Sequence, residues 1–159
     1  MRKLVLTTSI DLDFKLIGIN ASLELFKLAF LINKNLSMQF IRTKKDVKMI
    51  YKNSKIYFSL YAFCDPKTTC KLYLIQNKSV YVNQKPKFAT SLFEDQQEFM
   101  GKQLIKANLQ SDYLIKIEDE FDRFKIKKLI HDLNEIPQII SAYEIPNESI
   151  NSPENLIFE

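Results

Sequence analysis

Side chains able to do chemistry are sparse in this 159-residue chain, and they do not gather into a reactive pattern. His131 is the one residue that ordinarily titrates near neutrality, so acid–base or triad chemistry would have to use it. Helical spacing puts it on an outward arc with Lys127, Lys128, Asp132 and Glu135, the signature of a solvated face. Cys64 and Cys70 flank the Pro-led turn Asp65-Pro66-Lys67-Thr68-Thr69, where a disulfide would close a very short loop, so two free thiols are expected. One histidine and two cysteines cannot complete a tetrahedral zinc site. No catalytic residue, no metal ligand and no cofactor is therefore assigned. With Gly18 and Gly101 as its only glycines, the chain has no glycine-rich phosphate loop either.

The carboxylates read as structural. Glu118, Asp119, Glu120 and Asp122 offer oxygens to a hard cation, but they stand before a predicted helix, where carboxylates cap amides and complement the dipole. Asp11 and Asp13 read as turn or strand-edge polarity.

The strongest constellation is basic. Arg42, Lys44, Lys45, Lys48, Lys52 and Lys55 face a single Asp46, a net of +5 in fourteen residues that would attract a polyanion. Directly afterwards Tyr57, Ser59, Tyr61 and Phe63 share one strand face, and Ile56, Phe58, Leu60 and Ala62 the other. An open tyrosine face beside a basic connector is the combination single-strand binders use, with Tyr57 and Tyr61 as stacking residues. A solvated basic face and a surface for an acidic protein partner are the competing readings. The bias extends along the chain: residues 1 to 90 hold 16 Lys and Arg against 5 Asp and Glu, net +11. Residues 91 to 159 hold 7 against 14, net −7.

The elements that must position these groups follow from periodicity. Leu4–Thr7 and Phe14–Asn20 read as strands, and a helix capped at Ser22 carries Leu25, Leu28, Ala29 and Ile32 on one stripe. Leu23, Phe26 and Phe30 widen its apolar arc, which predicts a helix covered on most sides. Strands follow over Met38–Arg42, Ile56–Cys64 and Cys70–Gln76, the last two as a hairpin, and a short one over Val80–Val82. Asn83 to Phe99 loses clear periodicity, and Ile105–Gln110 reads as a short helix. A strand over Tyr113–Ile117, a helix from about Asp122 to Glu135 and a strand over Gln138–Glu144 make a β-α-β unit, the helix ending before Pro137. The expected fold is α+β: a single domain over residues 1–146 with a mixed β-sheet, one buried helix in the N-terminal half and the C-terminal β-α-β unit. An irregular tail covers 147–159, with Leu156 to Phe158 available to tack it down. No stretch has the roughly 20 apolar residues of a membrane helix, and the short apolar run after Arg2 and Lys3 soon meets Asp11 and Asp13. A cytoplasmic protein that engages no membrane is expected.

Several segments together carry a resemblance. They are Asp13-Phe14-Lys15-Leu16-Ile17-Gly18-Ile19, Leu28 to Lys34, Tyr73 to Lys78, Asp112-Tyr113-Leu114-Ile115-Lys116-Ile117, and Ile136-Pro137-Gln138 through Ala142-Tyr143-Glu144. In these the chain resembles, almost end to end, the IPExxDY family, small proteins of Bacteroidota named for an Ile-Pro-Glu and Asp-Tyr signature. The naming motif departs here, because Lys106 and Ala107 stand where the Pro and Glu would be. The resemblance implies a cytoplasmic bacterial protein and brings no assigned activity.

The leading expectation is a non-enzymatic intracellular binding or adaptor module that engages RNA or another polyanion through the basic connector, or else an acidic protein partner. The alternative is an enzyme or small-ligand protein whose pocket gathers residues distant in sequence, namely Asp13, Asp112 and Tyr113.

Overall fold

The structure, a computed structural model, describes residues 12–83, 98–106 and 110–158. The predicted strand over Leu4–Thr7 lies outside them.

Alternation after Phe14 forms β1 (Lys15–Ala21), with Ile17, Ile19 and Ala21 in one core and Leu16 in another. α1 (Leu25–Leu36) buries the predicted stripe Leu25, Leu28, Ala29 and Ile32. The wider cover expected around it does not form, because Phe26 and Phe30 are 57% and 63% exposed. The N-cap position of α1 is Glu24 rather than Ser22, with no side-chain capping bond, and the helix ends at Ser37, which takes a left-handed φ of 52° in the role usually given to glycine.

β2 is only Ile41–Arg42, and the basic stretch after it is a hairpin rather than a connector. β3 (Val47–Tyr51) and β4 (Ser54–Phe58) pair around Lys52-Asn53, whose φ values of 44° and 64° suit a two-residue type I′ turn. The strand predicted over 56–64 is two strands, since the chain passes at Ser59 from that hairpin into β5 (Leu60–Cys64) of the main sheet. β6 (Lys71–Gln76) returns across the Asp65 turn as predicted. There the Asp65 carboxylate accepts the Thr68 hydroxyl at 2.5 Å, and Thr69 has φ 61°. A further hairpin pairs β7 (Lys78–Asn83) with β8 (Glu98–Gln103). The expected helix over 105–110 is not seen where it is described: Lys106 instead forms an antiparallel bridge with Asn151.

β9 (Tyr113–Glu118), α2 (Ile126–Asn134) and β10 (Ile139–Ile145) form the C-terminal unit. α2 starts later than predicted because Asp122, at φ 49°, belongs to a turn. Asp119 closes that turn by accepting the Phe124 amide at 2.6 Å and the Phe121 amide at 3.3 Å.

The main sheet has the order β10-β1-β9-β6-β5-β2, and every described pairing is antiparallel. β9 and β10 both run antiparallel to β1 between them, so the β-α-β unit is split, and β1 and β6 stand in the same relation around β9. This is the doubly split β-α-β-β-α-β connectivity, an α+β fold in one domain, with β2–β5 and β7–β8 as insertions.

One face of the sheet buries Leu72, Leu74, Ile115 and Ile117 under α1 and α2. The opposite face buries Leu60, Ile75 and Leu114 under Ile56 and Phe58 of the first hairpin, Tyr81 of the second, and the tail. The tail, irregular apart from two 3-10 turns (Asn147–Ser149 and Pro153–Leu156), docks through fully buried Leu156 and through Phe158, edge-on to Tyr73 at 5.2 Å. Two helical asparagines grip extended backbone in matching ways. Asn33 bonds both the amide (2.8 Å) and the carbonyl (3.0 Å) of Phe40, and Asn134 does the same for Ala142 on the edge strand β10 (2.8 and 2.9 Å).

Candidate functional site

The β3–β4 register decides which basic residues share a surface. Lys48 lies opposite Tyr57 and Ile50 opposite Lys55, and these four point outward, while Val47, Ile56 and Phe58 point into the core. Tyr57 is 52% and Ile50 68% exposed. Lys44 and Lys45 lie exposed just before β3, and Lys52 sits at the tip. At the tip Tyr51, on the inward face, packs edge-on to Tyr81 at 5.8 Å, and the ammonium groups of Lys102 (3.7 Å) and Lys52 (5.4 Å) lie over its ring. Ser79 donates to the Tyr57 carbonyl at 2.9 Å and fixes the hairpin's other end.

Among the described residues, no carboxylate pairs with Lys44, Lys45, Lys48, Lys52 or Lys55. Arg42 behaves differently. Its guanidinium binds Asp46 and the Leu60 carbonyl (3.1 Å), so it anchors the hairpin to β5. Tyr61 is also removed from the expected platform: once the chain enters β5, Tyr61 and Phe63 turn onto the helix-side core, and Arg42 lies 5.8 Å over the Tyr61 ring. One exposed tyrosine remains beside the lysines, where two were expected.

The alternative pocket does not assemble. Asp13 lies before the first residue of β1, while Asp112 accepts the amide of Ala21 at its last, so about 25 Å of extended chain separates them. Asp112 also pairs with Lys78 at 2.6 Å, and the Tyr113 hydroxyl donates to the Leu23 carbonyl. Burial, then the charges of Asp112 and Glu24, pushes the Tyr113 phenol above its ordinary range and keeps it a donor. These residues fasten the start of α1 to β9.

Other reactive groups are likewise tied to structure. His131 is exposed on α2. Cys64 is exposed, Cys70 buried, and both are free thiols. Among the described residues no three His, Cys, Asp or Glu side chains are placed to hold a metal ion. Burial alone would raise the Asp119 carboxyl, but hydrogen bonds from the Phe124, Phe121 and Arg123 amides and the Cys70 thiol outweigh it and hold it below the usual carboxylate range. Lys116 escaped the sequence reading: only 4% exposed, it meets Glu118 at 2.6 Å beneath the rings of Phe14 (5.1 Å), Tyr73 (5.5 Å) and Phe158 (4.7 Å). Its signal was a Lys and a Glu two apart on the same side of an otherwise apolar strand.

Several residues that carry the family resemblance meet at the Ala21 end of β1. Gly18 faces the hydrogen-bonded hydroxyls of Ser111 and Tyr143 (2.7 Å), and a Cβ there would overlap Ser111 Oγ and stand 2.8 Å from the Tyr143 ring. Asn77, 2% exposed, bonds the Ser111 carbonyl at 2.9 Å and the Ile105 amide at 3.0 Å. These contacts are structural.

A groove of about 820 Å³ opens elsewhere, between the end of α1, the start of α2 and the β5–β6 turn. No described helix is long and apolar enough to cross a membrane. No protein-family model, curated protein or solved structure matches this chain.

Proposed function

We propose that this chain is a non-enzymatic binding module that engages a polyanion, single-stranded RNA foremost, through the outer face of the β3–β4 hairpin. The observation that carries this is Lys48 directly opposite exposed Tyr57, with Lys55 on the same face and Lys52 at the hairpin tip, and with no carboxylate partner among the described residues. Cations held on a rigid strand pair displace counterions from phosphates, and an exposed ring gives a base a surface to stack on. A β-α-β-β-α-β domain can bind RNA on the open face of its sheet, but here that face is covered by the hairpins and tail, which puts the proposed contact on the cover itself. Membership of the IPExxDY family and a cytoplasmic setting are proposed with it, from the motif segments and the sequence composition.

Fluorescence anisotropy with a labelled oligouridylate tests the reading. Three to five phosphate contacts give a log–log salt slope of roughly −2 to −3.5. Reversing Lys48, Lys52 and Lys55 to Glu abolishes binding, and Tyr57→Ala costs about 1–3 kcal/mol without flattening the slope. Absence of binding at low salt, or binding unchanged in the triple reversal, would reject the hairpin as the contact.

A further inference from the structure

We infer that the groove between α1, α2 and the β5–β6 turn is a second, separate site, which takes an acidic peptide carrying an apolar anchor. Its floor is apolar, formed by Met38, Phe63, Phe124 and Leu129. Its rim carries Lys67, Arg123, Lys125 and Lys128 against Asp65 and Asp132. Both carboxylates are already engaged, Asp65 by the Thr68 hydroxyl and Asp132 by Lys128 at 2.7 Å. Lys67, Arg123 and Lys125 are exposed and, among the described residues, have no carboxylate partner. Asp119 already meets the amides of the turn before α2, so the free positive charge of the rim is that of Lys67, Arg123 and Lys125.

Charge complementarity therefore selects an acidic occupant. β2 pairs with Tyr61 and Ala62, and ahead of it Phe40, its backbone held by Asn33, stands beside Phe63 with their rings 5.6 Å apart, so the groove is walled by chain on that side. A peptide there can set an apolar side chain on the floor and turn its carboxylates to the rim.

The test is selection of a random dodecapeptide display library on the full chain, followed by anisotropy with the enriched peptides. The expected result is enrichment of sequences with Asp or Glu flanking a bulky apolar residue. Affinity should fall at least tenfold in Arg123→Glu/Lys125→Glu and stay unchanged in Lys48→Glu/Lys55→Glu, whose fold is checked by circular dichroism alongside. Met38→Trp, which fills the floor without altering charge, should also remove binding. No acidic enrichment, or peptides that bind the rim and floor variants normally, would overturn the proposal. Competition by oligouridylate that is lost with Arg123→Glu/Lys125→Glu would overturn it too, by making the groove part of a nucleic-acid surface. Because the two pairs of reversals lie on different elements, failure of the groove and failure of the hairpin are read separately.

Discussion

The two faces of the sheet are closed by different means. On one, α1 and α2 lay continuous stripes, Leu25 to Ile32 and Ile126 to Leu133, across β6 and β9. On the other, the cover comes from three distant stretches: the β3–β4 hairpin, the β7–β8 hairpin and residues 147–158. The helical cover is set by local period and short connections. The hairpin cover exists only because Phe58, Tyr81 and Leu156 arrive at one place. The contrast shows how a sheet face can be withdrawn from solvent by segments that share no local period.

If both faces are one cooperative core, Phe58→Ala is the most damaging substitution, at about 3–5 kcal/mol, comparable with or above Leu28→Ala on the helical side at about 2–5 kcal/mol. Urea unfolding measures both. Hydrogen exchange sharpens the comparison, since β6 and β9 amides should lose protection together in either variant; loss confined to β3 and β4 would make the hairpin an appendage. Leu156→Ala, in a tail that composition marks as irregular, should cost about 3 kcal/mol because the side chain is fully buried. A cost below about 0.5 kcal/mol, the level of a surface change, would separate the tail from the core.

Gly18→Ala tests the contact between β1 and β10 on the hairpin side. The new Cβ overlaps the Ser111 and Tyr143 side chains, and overpacking of this kind costs about 1–3 kcal/mol. The smallest effect belongs to Asp119, before α2. Its carboxyl is held below the ordinary range, so its contribution to stability is complete above the unfolded-state value near 4 and is lost as pH falls through the lower folded value. Asp119→Asn should therefore flatten the acid limb of a stability–pH curve below about pH 4, and an unchanged limb would assign the acid sensitivity elsewhere.

What the sequence reveals follows the same division. The α1 stripe, the hairpin across Asp65 and the split unit around α2 are legible because their periods and breakers are local. The β3–β4 hairpin was hidden by its turn, since Lys52-Asn53 adopts left-handed geometry without the glycine that would announce it. Lysines at 48, 52 and 55 then looked like a connector. The break at Ser59 was hidden too, because nine residues of unbroken alternation give no sign that their first half pairs in another sheet. Of the candidate site, Lys48, Lys55 and Tyr57 share a surface and Lys52 stands at its tip, whereas Arg42 and Tyr61 are taken by packing and Asp13 stands apart from Asp112 and Tyr113. Lys102 reaches the Tyr51 ring at that tip through the pairing of β7 with β8, which no local pattern encodes.

Among the described residues six with side chains, Ser37, Lys52, Asn53, Thr69, Asp122 and Ser152, hold left-handed backbone, while neither glycine does. An unfolded chain rarely visits such conformations at non-glycine positions, each costing on the order of 1 kcal/mol. The Lys52-Asn53 turn is therefore expected to be imposed by the strands it joins instead of seeding them. Asn53→Gly, which prepares the β3–β4 turn in advance, should then leave the stopped-flow refolding rate unchanged and slow unfolding. Faster refolding would mean that the cover is present when the chain crosses its barrier.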